Sequence, residues 1–133
     1  MSDVESYIRS VQGGTVSYSR VGYGSLFEID VRINPVDEIT LWFYQAAWVL
    51  LSDNEETLAY DMDVETFRRN SDYMLSVTGC RVLSVLICAD EIHFEFDRSY
   101  RLEVWSDLMA YERGSQLIRV FLNRKHVGDI ENP

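Results

Sequence analysis

Short β-prone segments separated by turn signals run through most of this 133-residue chain. Segments 15–21 and 26–32 flank the turn-like residues 22–25, as the two strands of a hairpin do. No regular alternation of strands and helices occurs, so antiparallel sheets are favoured over parallel ones. Four further hairpin-like strands are predicted at residues 81–89, 91–97, 100–105 and 116–122.

Two helical segments interrupt this pattern. Capping-box spacing precedes a short N-terminal helix that ends at Gly13 and Gly14. Asp63 can cap a second helix over residues 64–78, with Gly79 as its stop. The chain is therefore predicted to have an α+β fold, with mostly antiparallel sheets and two helices.

The sequence also contains an internal echo. Residues 14–16 and 26–30 (GTV and LFEID) resemble residues 79–82 and 93–97 (GCRV and HFEFD). The echo favours a duplicated helix-plus-β-meander unit, and chance similarity between hairpins is the alternative. The predicted limits are one domain over 1–133, pseudo-halves at about 1–60 and 61–122, and a polar, irregular tail at 123–133.

The longest β-rich segment, residues 38–51, is apolar on both faces if it forms one strand. Leu41 and Phe43 then face one way, and Trp42 and Trp48 face the other. Such a strand is either central and covered on both sides, or has one face free for docking. A second copy of the chain could cover that face, so a homodimer is one open alternative.

Lys and Arg are absent from residues 33–67, where eight acids lie. The formal net charge of the chain is −10, and most of this excess comes from that segment. Such an excess disfavours direct binding to nucleic acids or anionic membranes, because both are polyanions. It favours a basic protein partner or a cation, and greater solubility is the simpler alternative. The acids are Asp37, Glu38, Asp53, Glu55, Glu56, Asp61, Asp63 and Glu65.

Trp and Tyr side chains lie among these acids. Interface hot spots combine aromatic anchors with a charged surround, so this composition favours a binding surface. A core role for the aromatics, and a helix-capping role for the acids near the second helix, are the alternatives. The predicted partner-binding residues are Asp53, Glu55, Glu56, Asp61, Asp63 and Trp48.

No catalytic motif competes with this interpretation. The nucleophile elbow, the dinucleotide and phosphate loops and the EF-hand pattern are all missing from the sequence. We therefore expect a protein that is not an enzyme and has no cofactor or bound metal. The alternative is a small-ligand or metal-binding domain that uses one face of the strand at 91–97, formed by Glu91, His93, Glu95 and Asp97.

Targeting signals are also missing from the sequence. The N-terminus lacks the basic and apolar regions of a signal peptide, and the apolar run at 46–51 is too short to span a bilayer. A cytoplasmic location is expected, with Cys80 and Cys88 reduced and serving as small core residues.

Four segments resemble a family of small bacterial proteins. Residues 24–29 (GSLFEI) and 41–48 (LWFYQAAW) look like its first half, and residues 75–82 (LSVTGCRV) and 92–96 (IHFEF) are similar to its second half. Such proteins resemble the small acidic immunity proteins that accompany bacterial toxins, including those of contact-dependent growth inhibition. The resemblance implies that the chain neutralises a cognate basic toxin, in many cases a nuclease, by covering its phosphate-binding site. Its motifs are structural and assign no binding residue.

Overall fold

A computed structural model of the chain describes residues 3–21, 27–88 and 90–133, without the side chains of residues 74–76. The predicted turn at 22–25 lies outside these ranges. Within them the chain forms three helices and ten strands. The helices are α1 (Asp3–Arg9), α2 (Val64–Asn70) and α3 (Asp72–Val77). The strands are β1 (Thr15–Val21), β2 (Phe27–Arg32), β3 (Glu38–Phe43), β4 (Ala47–Ser52), β5 (Glu55–Ala59), β6 (Val82–Ile87), β7 (Glu91–Phe96), β8 (Tyr100–Trp105), β9 (Gln116–Leu122) and β10 (Lys125–Glu131).

The strands form two antiparallel sheets of five, which confirms the predicted α+β class. Sheet A has the order β1-β2-β3-β9-β10, and sheet B has the order β5-β4-β8-β7-β6. The predicted bounds of β1, β8 and β9 are those observed. Burial alternates with a period of two in β8, whereas a bulge shifts the pattern of β1 and β9 buries both Leu117 and Ile118.

The two halves of the chain build the sheets in the same way and exchange their last two strands. β1, β2 and β3 start sheet A as a meander, and β6, β7 and β8 start sheet B as another. The next two strands of each half then cross over. β4 and β5 join sheet B beside β8, and β9 and β10 join sheet A beside β3. The topology therefore contains the predicted helix-plus-meander unit twice, and each sheet contains strands from both halves.

Backbone hydrogen bonds join the two sheets where β1 and β6 begin. Thr15 and Arg81 face each other at the centre of this junction. Gly13 and Gly79 lie on either side with φ of 87° and 90°, a left-handed conformation that glycine adopts without Cβ strain. The donors and acceptors are Gly13 N–H to Val82 O (2.7 Å), Val82 N–H to Gly14 O (2.9 Å), Val16 N–H to Cys80 O (2.8 Å) and Gly79 N–H to Val16 O (2.7 Å).

Inward-facing side chains of both sheets form one core, and aromatic contacts cross it. The Phe27 ring on β2 lies 4.8 Å from the Trp48 ring on β4, and the Phe43 ring on β3 lies 5.7 Å from that of Phe94 on β7. Ile8 of α1 is fully buried in the same cluster. Edge-to-face aromatic pairs of this kind add about 0.5–1.5 kcal/mol beyond the area that they bury.

The apolar run at 38–51 is two strands rather than one, and this corrects its predicted faces. β3 ends at Phe43 in sheet A, and β4 begins at Ala47 in sheet B. The link 44–46 changes the inward and outward alternation, so Leu41 and Phe43 face the same core as Trp48 and Leu50. The second apolar face was predicted because residues 38–51 were treated as one strand, and it does not exist in the two separate strands.

Three smaller expectations also need correction. The tail predicted at 123–133 contains β10, which forms a hairpin with β9 through a two-residue turn of Asn123 and Arg124, both with positive φ. The helix predicted at 64–78 is divided into α2 and α3 at Ser71. Cys80 is buried as expected, but Cys88 is exposed.

No helix in the described ranges is long and apolar enough to cross a membrane.

Trp48 belongs to the core and cannot contact a partner, so its assignment to the binding surface is wrong. The side chain has an exposed fraction of 0%, and its indole N–H has no hydrogen-bond partner among the described residues. The partly buried Trp42 instead lies on the outer face of sheet A, where it contacts Phe121. The change of alternation at 44–46 explains why Trp48 faces the core while Trp42 faces outward.

We expect Trp48→Ala to lower the free energy of unfolding by about 3–5 kcal/mol, because it empties a large core site. Urea unfolding followed by circular dichroism measures this loss. Trp42→Ala is the matched control and should cost clearly less, since its ring lies on an outer face. A loss for Trp42→Ala equal to or above that for Trp48→Ala would contradict the assignment of faces.

Candidate functional site

Three of the predicted acids lie together at one end of the edge strand β5. Asp53, Glu55 and Glu56, here called the acidic edge, are all exposed. β5 pairs with β4 alone, so its other side carries no strand of the described sheet. The charges therefore lie where a partner can approach them.

A two-residue turn holds the acidic edge in place. Asp53 and Asn54 connect β4 to β5 with φ of 53° and 66°, the left-handed geometry that short hairpin turns require. Asp and Asn tolerate this conformation better than most residues. The Asp53 N–H donates to the Ser99 carbonyl at 3.0 Å, so the turn is anchored to the neighbouring β7–β8 turn.

The remaining two acids lie beyond the other end of β5. Asp61 and Asp63 are exposed, but residues 57–60 separate Asp61 from Glu56, the last member of the acidic edge. At about 3.3 Å per residue, the part of β5 from Glu56 to Ala59 spans about 10 Å. The structure therefore brings Asp53, Glu55 and Glu56 together and places Asp61 and Asp63 elsewhere.

Asp63 has a structural role as the N-cap of α2. Its carboxylate accepts hydrogen bonds from the Thr66 N–H at 2.9 Å and the Thr66 hydroxyl at 2.8 Å. These bonds, the backbone one first, lower the pKa of Asp63 below its ordinary value of 3.8. Because the carboxylate is already used within the chain, Asp63 is a weaker candidate for partner contact than the acidic edge.

The acidic edge also has a structural explanation. An edge strand exposes unpaired backbone groups that can pair with another chain, and charged side chains there discourage such pairing. Glu55 and Glu56 fulfil this role whether or not a partner binds. Exposure alone therefore does not distinguish protection of the edge from recognition of a partner.

The alternative site on β7 does not form a convergent cluster. Glu91 and His93 contact each other, with 3.0 Å between Oε2 and Nε2, while Asp97 accepts the Arg81 N–H at 2.9 Å. Within the described ranges, no group of three or more His, Cys, Asp or Glu side chains is arranged to hold a metal ion. Glu91 and Glu95 line two separate depressions, of about 310 and 250 Å³, and His93 lines neither of them.

The outer face of sheet A contains a depression that the sequence did not indicate. Its volume is about 360 Å³, and it lies over the middle of β2 and β3. Glu28 is opposite Trp42 in the strand register, and Asp30 is opposite Thr40. The side chains that line it are Tyr18, Arg20, Glu28, Asp30, Thr40, Trp42, Phe121 and Arg124.

Only part of the lining of this depression could be predicted from the sequence. The alternation along β2 places Glu28 and Asp30 on one face, which period two predicts directly. Phe121 reaches the depression because β9 pairs with β3, a contact between the two halves. Tyr18 faces Asp30 through a β-bulge that shifts the register of β1. Neither the strand exchange nor the bulge follows from local pattern.

Comparison with protein-family models, with characterised proteins and with solved structures found no match to this chain.

We expect Asp63→Ala to destabilise the protein at neutral pH, with a difference from wild type that shrinks in acid. The folded pKa of Asp63 is lowered, so its stabilising contribution is present above the unfolded value and is lost as the pH falls through the folded one. Urea midpoints at neutral pH and well below pH 3.8 measure this change. Asp61→Ala removes a nearby exposed charge as control. A difference that persists unchanged in acid would contradict the capping role.

Proposed function

We propose that the chain is a non-catalytic immunity protein that binds and neutralises a cognate basic toxin, with a nuclease as the expected class. The observation that carries the proposal is the acidic edge: Asp53, Glu55 and Glu56 are all exposed at the turn and the first residues of an edge strand. The net charge of −10 and the resemblance to acidic bacterial immunity proteins support it. The partner is expected in the cytoplasm, and contact-dependent growth inhibition is the expected setting.

Charge complementarity explains how such a surface would work. A nuclease grips phosphates with Lys and Arg, and an acidic surface presented to those side chains covers them before substrate arrives. Electrostatic steering raises association rates to about 10⁸–10⁹ M⁻¹ s⁻¹ at low salt. Close charge pairs couple by about 1.5–7 kcal/mol, so a few contacts are enough for tight binding.

The geometry of the acidic edge decides which substitutions test it. Asp53 has a positive φ, so Asp53→Asn removes its charge with a residue that also accepts the left-handed turn. Glu55 and Glu56 lie in the strand and can be reversed to Lys. Asp63 is left unchanged, because its loss would weaken α2.

We expect the triple variant Asp53→Asn, Glu55→Lys, Glu56→Lys to weaken partner binding at least about a hundredfold, since two or more close charge pairs are lost. The wild-type chain serves as bait for proteins from the bacterium that encodes it, with elution by increasing salt and identification by mass spectrometry. The captured basic protein is then purified, and its affinity and toxicity are measured with each variant.

The matched control makes the same change in charge away from β5. Asp90, Glu112 and Glu131 are exposed, so Asp90→Asn, Glu112→Lys, Glu131→Lys should keep both binding and neutralisation. Circular dichroism and urea unfolding confirm that both triple variants fold. Equal affinity of the acidic-edge variant and wild type, or equal loss in the control, would contradict recognition by the acidic edge.

A further inference from the structure

The depression on the outer face of sheet A has an acidic floor. Glu28 is almost buried, with an exposed fraction of 8%, and its Oε1 accepts the Arg20 Nε–H at 3.2 Å. Asp30 accepts the Thr40 hydroxyl at 2.7 Å. Burial raises the pKa of Asp30 above its ordinary value, against the effect of the Thr40 hydrogen bond.

Asp30 differs from its neighbours because none of the described Lys or Arg side chains forms an ion pair with it. Glu28 pairs with Arg20, and Glu38 lies 3.9 Å from the Arg32 guanidinium. Within the described ranges, no Lys or Arg nitrogen comes within ion-pair distance of the Asp30 carboxylate. A partly buried carboxylate without a cation is stabilised when a cation binds beside it.

Aromatic rings form the walls of the depression. The Trp42 and Phe121 rings lie 5.1 Å apart, and Tyr18 on β1 is 48% exposed at the other side. Phe121 already makes a cation–π contact with Arg119, whose guanidinium carbon lies 5.8 Å from the ring centroid. The same wall is therefore suited to guanidinium stacking.

The corresponding face of sheet B differs from that of sheet A at one register position. Phe27-Glu28 in β2 and Phe94-Glu95 in β7 occupy matching places, with each Phe buried and each Glu facing outward. Opposite Glu95, β8 provides Arg101, whose Nε lies 3.7 Å from Glu103. Opposite Glu28, β3 provides Trp42 instead. In sheet A the guanidinium beside Glu28 comes from Arg20 on β1, so the position opposite Glu28 on β3 is occupied by an aromatic ring.

We propose that the depression on sheet A binds an arginine side chain presented by a peptide or protein. The guanidinium pairs with Asp30 and stacks on Trp42, while Tyr18 covers it from β1. A planar guanidinium fits this combination better than the ammonium of lysine, because it stacks on an aromatic face and bonds to a carboxylate at once. This site is separate from the acidic edge and does not depend on the toxin-binding proposal.

Arg124 is a cation of the chain itself that lines the same depression and interacts with Asp30. It lies on the rim beyond β9, where its charge acts on Asp30 and opposes the increase in the pKa of that carboxyl. An arginine from outside must compete with this charge. Removal of Arg124 should therefore tighten binding, whereas removal of the Asp30 charge should weaken it.

The test uses N-acetyl-arginine amide, with the uncharged citrulline analogue and the lysine analogue for comparison. Binding is followed by NMR through the Trp42 indole N–H signal, assigned with Trp42→Phe, at constant ionic strength. We expect saturable binding that Asp30→Asn weakens roughly tenfold, since a desolvated charge pair is lost. Asn keeps an oxygen for the Thr40 hydroxyl, so the fold is preserved. Arg124→Ala should strengthen binding several-fold, and citrulline should bind at least about tenfold more weakly.

Glu95→Gln is the matched control, because it removes the corresponding outward carboxylate on sheet B. It should leave arginine binding unchanged. The proposal is overturned by any of three results: no saturable shift of the Trp42 signal, equal binding by Asp30→Asn, or equal binding of citrulline. None of these results bears on the acidic edge, whose test requires the protein partner and different variants.

Discussion

The junction between β1 and β6 is the contact on which this fold depends. Without it, both strands would be open edges, with backbone groups free to pair with other chains. The four hydrogen bonds around Thr15 and Arg81 satisfy these groups where the two strands begin, and they hold the two sheets together at that end. They require the chain to turn sharply just before each strand, which explains the left-handed glycines at 13 and 79. β10 and β5 are the terminal strands on the opposite side of sheet A and sheet B, respectively.

The exchange of strands binds the two halves into one core. Each half contributes a meander to one sheet and two strands to the other, so neither half has a complete sheet of its own. The link 44–46 performs this crossing in the first half with three residues, whereas 106–115 performs it in the second half with a longer loop. A short link between strands that face one core changes the inward alternation. This is why Phe43 and Trp48 both face inward although their positions differ by an odd number, five.

Sequence pattern predicted the strands well because each is specified locally. β-prone residues and flanking turn residues gave the bounds of β1, β8 and β9, and the internal echo indicated the repeated unit. The prediction of Trp48 failed because its placement depends on the crossing between the sheets. The β9–β10 hairpin is local and was missed, whereas the close approach of Gly128 in β10 to Val4 is a non-local contact that the sequence pattern does not show. For the site, exposure of the five acids followed from turns and alternation, but their division into two groups depends on how β5 separates them. The aromatic depression required both the strand exchange and a bulge.

The two roles of the acidic edge can be separated by the sign of its charge. Protection of an edge strand needs charge of either sign, because lysine and glutamate both discourage pairing with another chain. Recognition of a basic partner needs negative charge specifically, since like charges placed opposite each other repel. A neutral substitution removes both roles at once and allows self-association to be mistaken for lost recognition. Reversal at Glu55 and Glu56 keeps the edge charged, so a change in partner binding without a change in oligomeric state assigns recognition to the sign of the charge.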